Sequence, residues 1–158
     1  MRVLGLISGT SADGIDVALY KDEPGIGIDI TTGCTRDRSG HVRIHFTVSP
    51  EYETSVRRHI ESTRALYERD GVTFSVEFSN QKASTDTIAV DMDNHPFRDR
   101  AGALVFRPGG HGSLLENMCD LAGDVLFIKN IDNILPDRLK EQTVTYKKAL
   151  GGLLIELQ

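Results

Sequence analysis

The first 20 residues alternate in a way that predicts two strands joined by a turn. Residues 3–7 form an apolar run typical of a buried strand, and residues 8–14 are polar and contain glycine. Ile15, Val17 and Leu19 then alternate with polar or small residues, which is the period of a strand. The sequence therefore predicts an N-terminal β-hairpin, not the strand, loop and helix of a nucleotide P-loop.

A strand, a helix and a second strand follow from residue 42 onward. Residues 42–48 and 72–78 alternate between apolar and polar side chains, which predicts two half-buried strands. Between them, Ser49 at the N-cap and Pro50 at the first helical position predict the start of a helix that runs to about Asp70. The predicted buried face of this helix consists of Tyr52, Val56, Ile60, Thr63, Leu66 and Tyr67.

The next part of the chain is richer in turns. Short strands are predicted at residues 87–92 and 103–106, followed by a glycine-rich loop at residues 107–112. Ser113 and Glu116 have the spacing of a capping box and predict a helix to about residue 121. No internal repeat is evident.

The C-terminal part predicts one more strand and one more helix. Residues 125–128 indicate a buried strand, and a last helix is predicted from near Pro136. The apolar stripe of that helix consists of Leu139, Thr143, Tyr146, Leu150, Leu153 and Leu157. Strands that alternate with helices favour an α/β fold with a mostly parallel sheet and flanking helices.

Composition excludes several classes of protein. The chain has 158 residues, which is the size of one domain or two small ones, and a net charge of −5, so no basic field for nucleic acid is expected. No run of about 18 apolar residues exists, so no membrane span is expected. The two cysteines, Cys34 and Cys119, are too few for a disulfide scaffold, which indicates a reducing cytoplasm. Cys119 lies in an apolar helical run and is expected to be buried.

The segment from the glycine-rich loop to residue 133 carries the strongest chemical signal. A glycine loop before a capped helix directs backbone N–H groups toward an anion. The predicted strand that follows places Asn130, Asp132 and Asn133 at its carboxyl end, which is where ligands bind in open α/β sheets. Asp132 fits a hard cation such as Mg²⁺. The alternative interpretation is that the glycines form a tight turn and that Asp132 and Asn133 cap the next helix.

Other polar residues give weaker signals. His41 and His45 lie on one face of the same predicted strand, and with His59 and His95 elsewhere they complete no metal-binding set, so surface or capping positions are expected. Asp91 and Asp93 lie two residues apart at a strand end, where they could add a carboxylate to the metal site.

Residues 41–158 resemble the later part of a bacterial family catalogued as a domain of unknown function. The segments that carry the resemblance are HFTVSPE (45–51), STDTIAVDMDN (84–94), FRPGGHG (106–112) and FIKNIDN (127–133). That family is in turn similar to the UDP-sugar pyrophosphorylases, which are nucleotidyltransferases of the GT-A-like α/β fold. The resemblance implies that Gly109, Gly110, His111 and Gly112 touch nucleoside and sugar, and that Asn130, Asp132 and Asn133 hold metal, ribose or phosphate. It also implies that Gln81 reads the uracil edge.

The N-terminal residues resemble a different family. Pyrophosphorylases begin with a glycine-rich triphosphate loop, and nothing like it precedes His41. Instead, residues 5–19 (GLISGTSADGIDVAL) resemble the start of anhydro-N-acetylmuramic acid kinase, an ATP-dependent sugar kinase of the actin-like fold. The resemblance implies that the first turn wraps the ATP phosphates. The matching residues are Ser8, Gly9, Thr10, Ser11, Asp13, Gly14 and Asp16.

These patterns predict three regions. Residues 1–20 are a kinase-like phosphate-binding hairpin, residues 21–40 are a linker or join, and residues 41–158 are an incomplete GT-A-like α/β domain. The leading hypothesis is binding of a nucleotide sugar, or Mg²⁺-dependent nucleotidyl transfer from a nucleoside triphosphate (UTP or ATP) to a sugar 1-phosphate, with Asp132 as catalytic and metal residue. The alternatives are a fragment of an ATP-dependent sugar kinase and a non-catalytic binding domain. The stripe of the last helix predicts exposed apolar surface and self-association.

Overall fold

The computed structural model of the chain describes residues 3–8, 39–68, 71–130 and 139–158. Within them, four parallel strands form one sheet in the order β3-β2-β1-β6, and two short strands form an antiparallel pair. The strands are β1 (Val3–Ser8), β2 (His41–Thr47), β3 (Thr73–Ser79), β4 (Thr87–Ile88), β5 (Phe106–Arg107) and β6 (Val125–Asn130). The helices are α1 (Pro50–Tyr67), α2 (Leu115–Cys119) and α3 (Lys140–Leu157), with 3₁₀ turns at Ala83–Thr85 and His111–Leu114. The predicted α/β class is confirmed.

The core lies between the sheet and α1. Val42, Ile44 and Phe46 alternate along β2 and are all buried, because one face of that strand is covered by the apolar side of the helix. Val56 and Ile60 of α1 complete this core. The alternating pattern of β2 and the helical pattern at Val56 and Ile60 predicted this packing correctly.

Both ends of α1 follow from local chemistry. Ser49 is the N-cap, although its side chain makes no capping hydrogen bond, and Pro50 is the first helical residue. The helix ends at Tyr67, before the predicted end near Asp70, and Glu68 after it has a non-helical ψ of 71°. The Glu68 side chain accepts hydrogen bonds from the Phe74 backbone N–H (3.1 Å) and from Arg64 Nε (2.8 Å). These bonds hold the pKa of Glu68 below its ordinary value.

The first strand of the predicted hairpin lies in the middle of the sheet. β1 pairs in parallel with β2 on one side and with β6 on the other. The second predicted strand, at residues 15–19, lies outside the described residues, so the hairpin itself stays a prediction.

Residues 87–107 contain a backbone repeat that the sequence does not reveal. Ala89 donates its N–H to Val105 O, Phe97 donates to Ala89 O, and Val105 donates to Phe97 O. Two matching turns lie eight residues apart. In each turn an aspartate Oδ1 accepts two backbone N–H groups, at Asp91 and at Asp99.

The two turns share a second feature, which explains why the repeat is hidden. The residue three positions after each aspartate has a positive φ, 63° at Asn94 and 82° at Gly102. Asparagine and glycine both tolerate this conformation, so two different residues satisfy the same requirement. The expectation of no repeat was therefore wrong for the backbone, because aspartate is the only residue type that the two turns share.

Several sequence-based expectations are corrected in the second half of the chain. The strands expected at residues 87–92 and 103–106 are two residues each, Thr87–Ile88 and Phe106–Arg107. The capping box is absent, because Ser113 Oγ donates to Thr85 O (3.3 Å) and Glu116 accepts from Ser84 Oγ (3.5 Å). α2 therefore begins as a 3₁₀ turn and is only five residues long.

Three burial predictions also fail. Leu66, expected on the buried face of α1, is 57% exposed, and Ile128, expected in a buried strand, is 49% exposed. Cys119, expected to be buried, is exposed at the end of the short α2. Each of these residues lies near the end of an element or on the outermost strand of the described sheet, where the pattern of a sequence does not show that a neighbour is missing.

The last helix is described from Lys140 onward, and the predicted start at Pro136 lies outside the described residues. None of the described helices is both long and apolar enough to cross a membrane.

Candidate functional site

Four polar residues end the four strands of the sheet at one edge. The register aligns Ser8 with Asn130 on one side and with Thr47 on the other, and Thr47 with Ser79. Because the strands are parallel, these residues form a row across the carboxyl edge, which is the edge where ligands bind in open α/β sheets. The row is therefore the candidate site.

The order of the strands reverses within this row. The chain proceeds from β1 to β2 to β3 in one direction, and β6 is then added on the other side of β1. Such a reversal opens a crevice between the two strands that flank it, here the ends of β1 and β6. Ser8 and Asn130, which come from the two separate resemblances, are brought together at this point by the backbone register.

A buried hydrogen-bond network lies at the β2–β3 end of the row, centred on the Ser79 hydroxyl. Ser79 Oγ is 2.9 Å from His45 Nε2 and 3.2 Å from Thr47 Oγ1, and it accepts a hydrogen bond from Asn117 Nδ2 (3.0 Å). Asn117 Nδ2 also donates to Asn80 O (2.8 Å), so α2 is tied to the end of β3. His45, Thr47 and Asn117 are each at most 5% exposed, and Ser79 is half-buried, so most of the network lies below the surface.

Two atoms of this network have no hydrogen-bond partner among the described residues. They are His45 Nδ1 and Asn117 Oδ1, both buried, and Glu77 Oε2 lies 3.6 Å from His45 Nδ1. An unsatisfied buried polar atom is unfavourable. The network therefore retains unused hydrogen-bonding capacity next to the candidate site.

Burial also changes the acid–base behaviour of His45. It lowers the pKa of His45 below the ordinary value of 6.5, and this effect outweighs Glu77, which acts in the opposite direction. The folded protein therefore keeps His45 neutral over a pH range in which an unfolded chain protonates it. The expectation that His45 is a surface residue is corrected.

We expect the stability of the protein to fall as the pH drops below about 6.5, where His45 of the unfolded chain begins to bind a proton that the folded chain does not. The loss should be complete once the pH lies below the folded pKa. Urea unfolding at pH 7.5 and 5.5 measures this. His45→Gln should flatten the difference, whereas His95→Gln, at an exposed histidine, should leave it unchanged.

An unchanged pH difference in His45→Gln would show that other groups cause the acid sensitivity. Glu53 and Glu68 also have lowered pKa values, but those groups ordinarily titrate at 4.5 and so act at lower pH.

The glycine-rich loop is anchored beside this edge of the sheet. Gly109 is buried, and a Cβ there would collide with Ser113 Oγ and lie 3.0 Å from Thr85 O. Ser113 Oγ itself donates to Thr85 O, and Lys82 Nζ lies 2.8 Å from Asp120 Oδ2. The loop is thus held against the segment that follows β3.

Three further hydrogen bonds stabilise the segment that follows β3. Gln81 Nε2 donates to Asp86 Oδ1 (3.3 Å). Asn80 Nδ2 donates to Val48 O (2.9 Å) and to Glu53 Oε2 (3.1 Å), which ties the end of β3 to the start of α1. Gln81 and the glycine loop therefore lie on two segments that are joined by side-chain contacts.

The structure brings together part of the predicted site. Ser8 and Asn130 lie in the row by their backbone positions, and the loop contains Gly109, Gly110, His111 and Gly112, with His111 at the start of a 3₁₀ turn. The other predicted residues lie outside the described residues. These are Asp132 and Asn133, and in the kinase-like turn Gly9, Thr10, Ser11, Asp13, Gly14 and Asp16.

The sequence-based prediction missed four residues of the site: His45, Thr47, Ser79 and Asn117. Thr47 and Ser79 could have been found, because each is the polar residue that ends an alternating strand. Asn117 could not, since its role depends on a contact between residues 38 positions apart.

The predicted carboxylates of residues 91 and 93 do not belong to this row. Asp91, Asp93 and His95 have potential metal-ligating atoms within 4.8 Å of one another. All three residues are exposed and lie in the segment between β4 and β5. Asp91 Oδ1 already accepts two backbone N–H groups there. The group is therefore explained as part of a turn.

Comparison with protein families assigns the chain. Residues 31–158 match the family described as a domain of unknown function, DUF4301. The chain belongs to the DUF4301 family. The matched range contains β2 to α3, and β1 precedes it. No curated protein and no solved structure matches this DUF4301 chain.

Proposed function

We propose that this DUF4301 chain binds a nucleotide at the carboxyl edge of its parallel sheet and that the bound ligand is a nucleoside triphosphate or a nucleotide sugar. The observation that carries the proposal is the register of Ser8 with Asn130 at the point where the strand order reverses. Counted in chain order within the sheet, the strands run 3-2-1-4, which is the order of the first four strands of a dinucleotide-binding sheet. The GT-A-like fold is part of this proposal.

The chemistry of the edge suits a phosphorylated ligand. Serine, threonine and asparagine side chains offer neutral hydrogen bonds, and the glycines at 110 and 112 leave backbone accessible, since a Cβ at either would meet nothing within 4 Å. Asp132 comes two residues after β6 and would supply the carboxylate for Mg²⁺. The ion would neutralise the charge of the phosphates.

The proposed reaction is nucleotidyl transfer. A phosphate oxygen of a sugar 1-phosphate attacks the α-phosphorus of the nucleoside triphosphate, a new P–O bond forms, and the bond to the leaving pyrophosphate breaks. Gly109 to Gly112 would contact nucleoside and sugar, and Gln81 would contact the base.

A second candidate is ATP-dependent phosphorylation of a sugar. The observation that favours it is that β1, which precedes the kinase-like turn in the sequence, ends at the same edge as β6, with Ser8 aligned with Asn130. The resemblance to such kinases covers residues 5–19 and includes neither a sugar pocket nor a catalytic base. We therefore expect at most weak ATP binding and no phosphorylation of anhydro-muramic sugars.

Titration calorimetry and thermal shift with UTP, ATP and a UDP-sugar, each with and without Mg²⁺, test the proposal. We expect UTP or UDP-sugar with Mg²⁺ to stabilise the chain. Asp132→Asn should weaken binding about tenfold or more, since a charge-assisted contact contributes roughly 1.5–3 kcal/mol. His111→Ala should weaken it less, because it removes a neutral contact.

Asp93→Asn is the matched control, because it removes an exposed carboxylate away from the row. Binding without turnover would support the remaining alternative, which is a non-catalytic binding domain. Absence of any nucleotide response in the parent chain contradicts the proposal. So does an Asp132→Asn variant that unfolds with no selective change in ligand response, since Asp132 would then be a structural cap.

A further inference from the structure

The C-terminal helix has two separate faces. One face contains Lys140 and Gly151, which are buried, and the half-buried Val144 and Lys147, and it meets β6 at Phe127. Gly151 is the point of closest approach, because a Cβ there would lie 2.9 Å from Cζ of Phe127 on β6. Four positions spaced by four, three and four residues therefore form the docking face.

The second face is an exposed apolar stripe. Each of the first four residues of the stripe comes one position before a residue of the docking face. Consecutive residues of a helix are about 100° apart around its axis, so the stripe is rotated by that angle from the docking face. Its large side chains are 46–77% exposed. They are Leu139, Tyr146, Leu150, Leu153 and Leu157, and Thr143 completes the stripe. The predicted apolar exposure is confirmed.

The spacing of this stripe is that of a helix–helix seam. Its members are separated by four, three, four, three and four residues, which is the a/d spacing of a heptad repeat. A stripe with this period fits the side of another helix, where its side chains insert between those of the partner. The stripe therefore favours a helix as its partner.

The same stripe is complementary to itself when reversed. Leu139 and Leu157, Thr143 and Leu153, and Tyr146 and Leu150 are all placed symmetrically about residue 148. Two antiparallel copies would thus form six layers in which every member of one stripe faces a member of the other. Antiparallel pairing also aligns the helix dipoles favourably.

The exposed area is sufficient for a weak dimer. The exposed fractions of the five large side chains together equal about three whole side chains. At roughly 150–200 Å² each, this gives about 500 Å² per copy and about 1,000 Å² in total. That total reaches the lower limit of specific protein interfaces, so a dissociation constant in the micromolar range is expected.

We propose that a second copy of this chain covers the stripe, and that the two α3 helices pair in antiparallel orientation centred on residue 148. The pairing requires neither a ligand nor the carboxyl-edge site, so it stands or falls separately from the proposed function.

Sedimentation equilibrium of the full chain between about 1 and 200 µM tests the pairing, because this range brackets a micromolar constant. The parent should pass from monomer to dimer. Leu150→Glu and Leu153→Glu, at exposed positions, should each remain monomeric with an unchanged circular dichroism spectrum. Thr145→Glu, exposed but outside the stripe, should dimerise like the parent. A monomeric parent at the highest concentration overturns the proposal, and so does a dimer that persists in both leucine variants.

Spin labels determine the orientation. Cys34→Ser and Cys119→Ser remove the native thiols, and a single label is then placed at Lys148→Cys or at Glu141→Cys. In the antiparallel pair the labels at 148 lie at the same height along the helix axes, whereas those at 141 are separated by about 20 Å along it. Equal distances at both positions would overturn the antiparallel arrangement.

Discussion

Replacing Ile44 with alanine should lower the free energy of unfolding by about 2–5 kcal/mol, the range for removing a buried isoleucine side chain from a core. Ile44 is fully buried in the middle of β2. Its strand neighbours are Gly5 of β1 and Val76 of β3, so the cavity would open at the centre of the sheet. Such a site has little freedom to collapse, which favours the upper part of the range.

Ile128→Ala is the matched control. The same atoms are removed, but Ile128 is 49% exposed on β6, so the loss should be clearly smaller than at Ile44. Urea unfolding monitored by circular dichroism gives both values. Equal losses in the two variants would show that the core does not lie between β2 and α1, as described, but extends across β6.

Sequence-based prediction agrees best with the structure where the pattern that identifies an element lies within that element. Along β2 every second residue is apolar, and at the start of α1 serine and proline mark the boundary, so both elements were predictable. The failures at Leu66 and Ile128 have one cause. A periodic pattern identifies an apolar face but does not show whether another element covers it.

The short α2 illustrates a different difficulty. Ser113 and Glu116 have the spacing of a capping box, but both side chains bond to the segment that follows β3. A contact between residues about 30 positions apart overrides the local motif. The sequence alone does not contain the information that Ser84 and Thr85 lie nearby.

The candidate site likewise has a part that local motifs predict and a part that depends on tertiary contacts. The glycine loop and the place of Asn130 at the end of β6 were predictable, because both follow from local sequence motifs. Asp132 and Asn133 lie outside the described residues, so their part in the site stays a prediction. The network around Ser79 was not, because it needs the parallel register that aligns Thr47 with Ser79 and the tertiary contact with Asn117. The meeting of Ser8 with Asn130 likewise depends on the central position of β1, which no local pattern shows.

Gly109→Ala should destabilise the glycine loop strongly, with a loss of about 1–3 kcal/mol, as for overpacking of a close-fitting site. The added Cβ would collide with Ser113 Oγ and lie 3.2 Å from Ser113 Cβ and 3.0 Å from Thr85 O. The serine oxygen can rotate away, but the backbone carbonyl of Thr85 cannot. The loop must therefore move from the segment after β3, and the Ser113–Thr85 hydrogen bond must break.

Gly110→Ala and Gly112→Ala are controls in the same loop, because a Cβ at either position meets nothing within 4 Å. They should change the unfolding free energy by less than about 1 kcal/mol. Neither glycine has a positive φ, so alanine introduces no backbone strain at either position. The double variant Gly109→Ala/Ser113→Ala should recover only part of the loss, because it removes the clash with Oγ and leaves the one with Thr85 O. Full recovery would show that the serine hydroxyl alone demands glycine at position 109. Equal effects at all three glycines would contradict the anchoring of the loop through Gly109, since backbone entropy would then account for the loss.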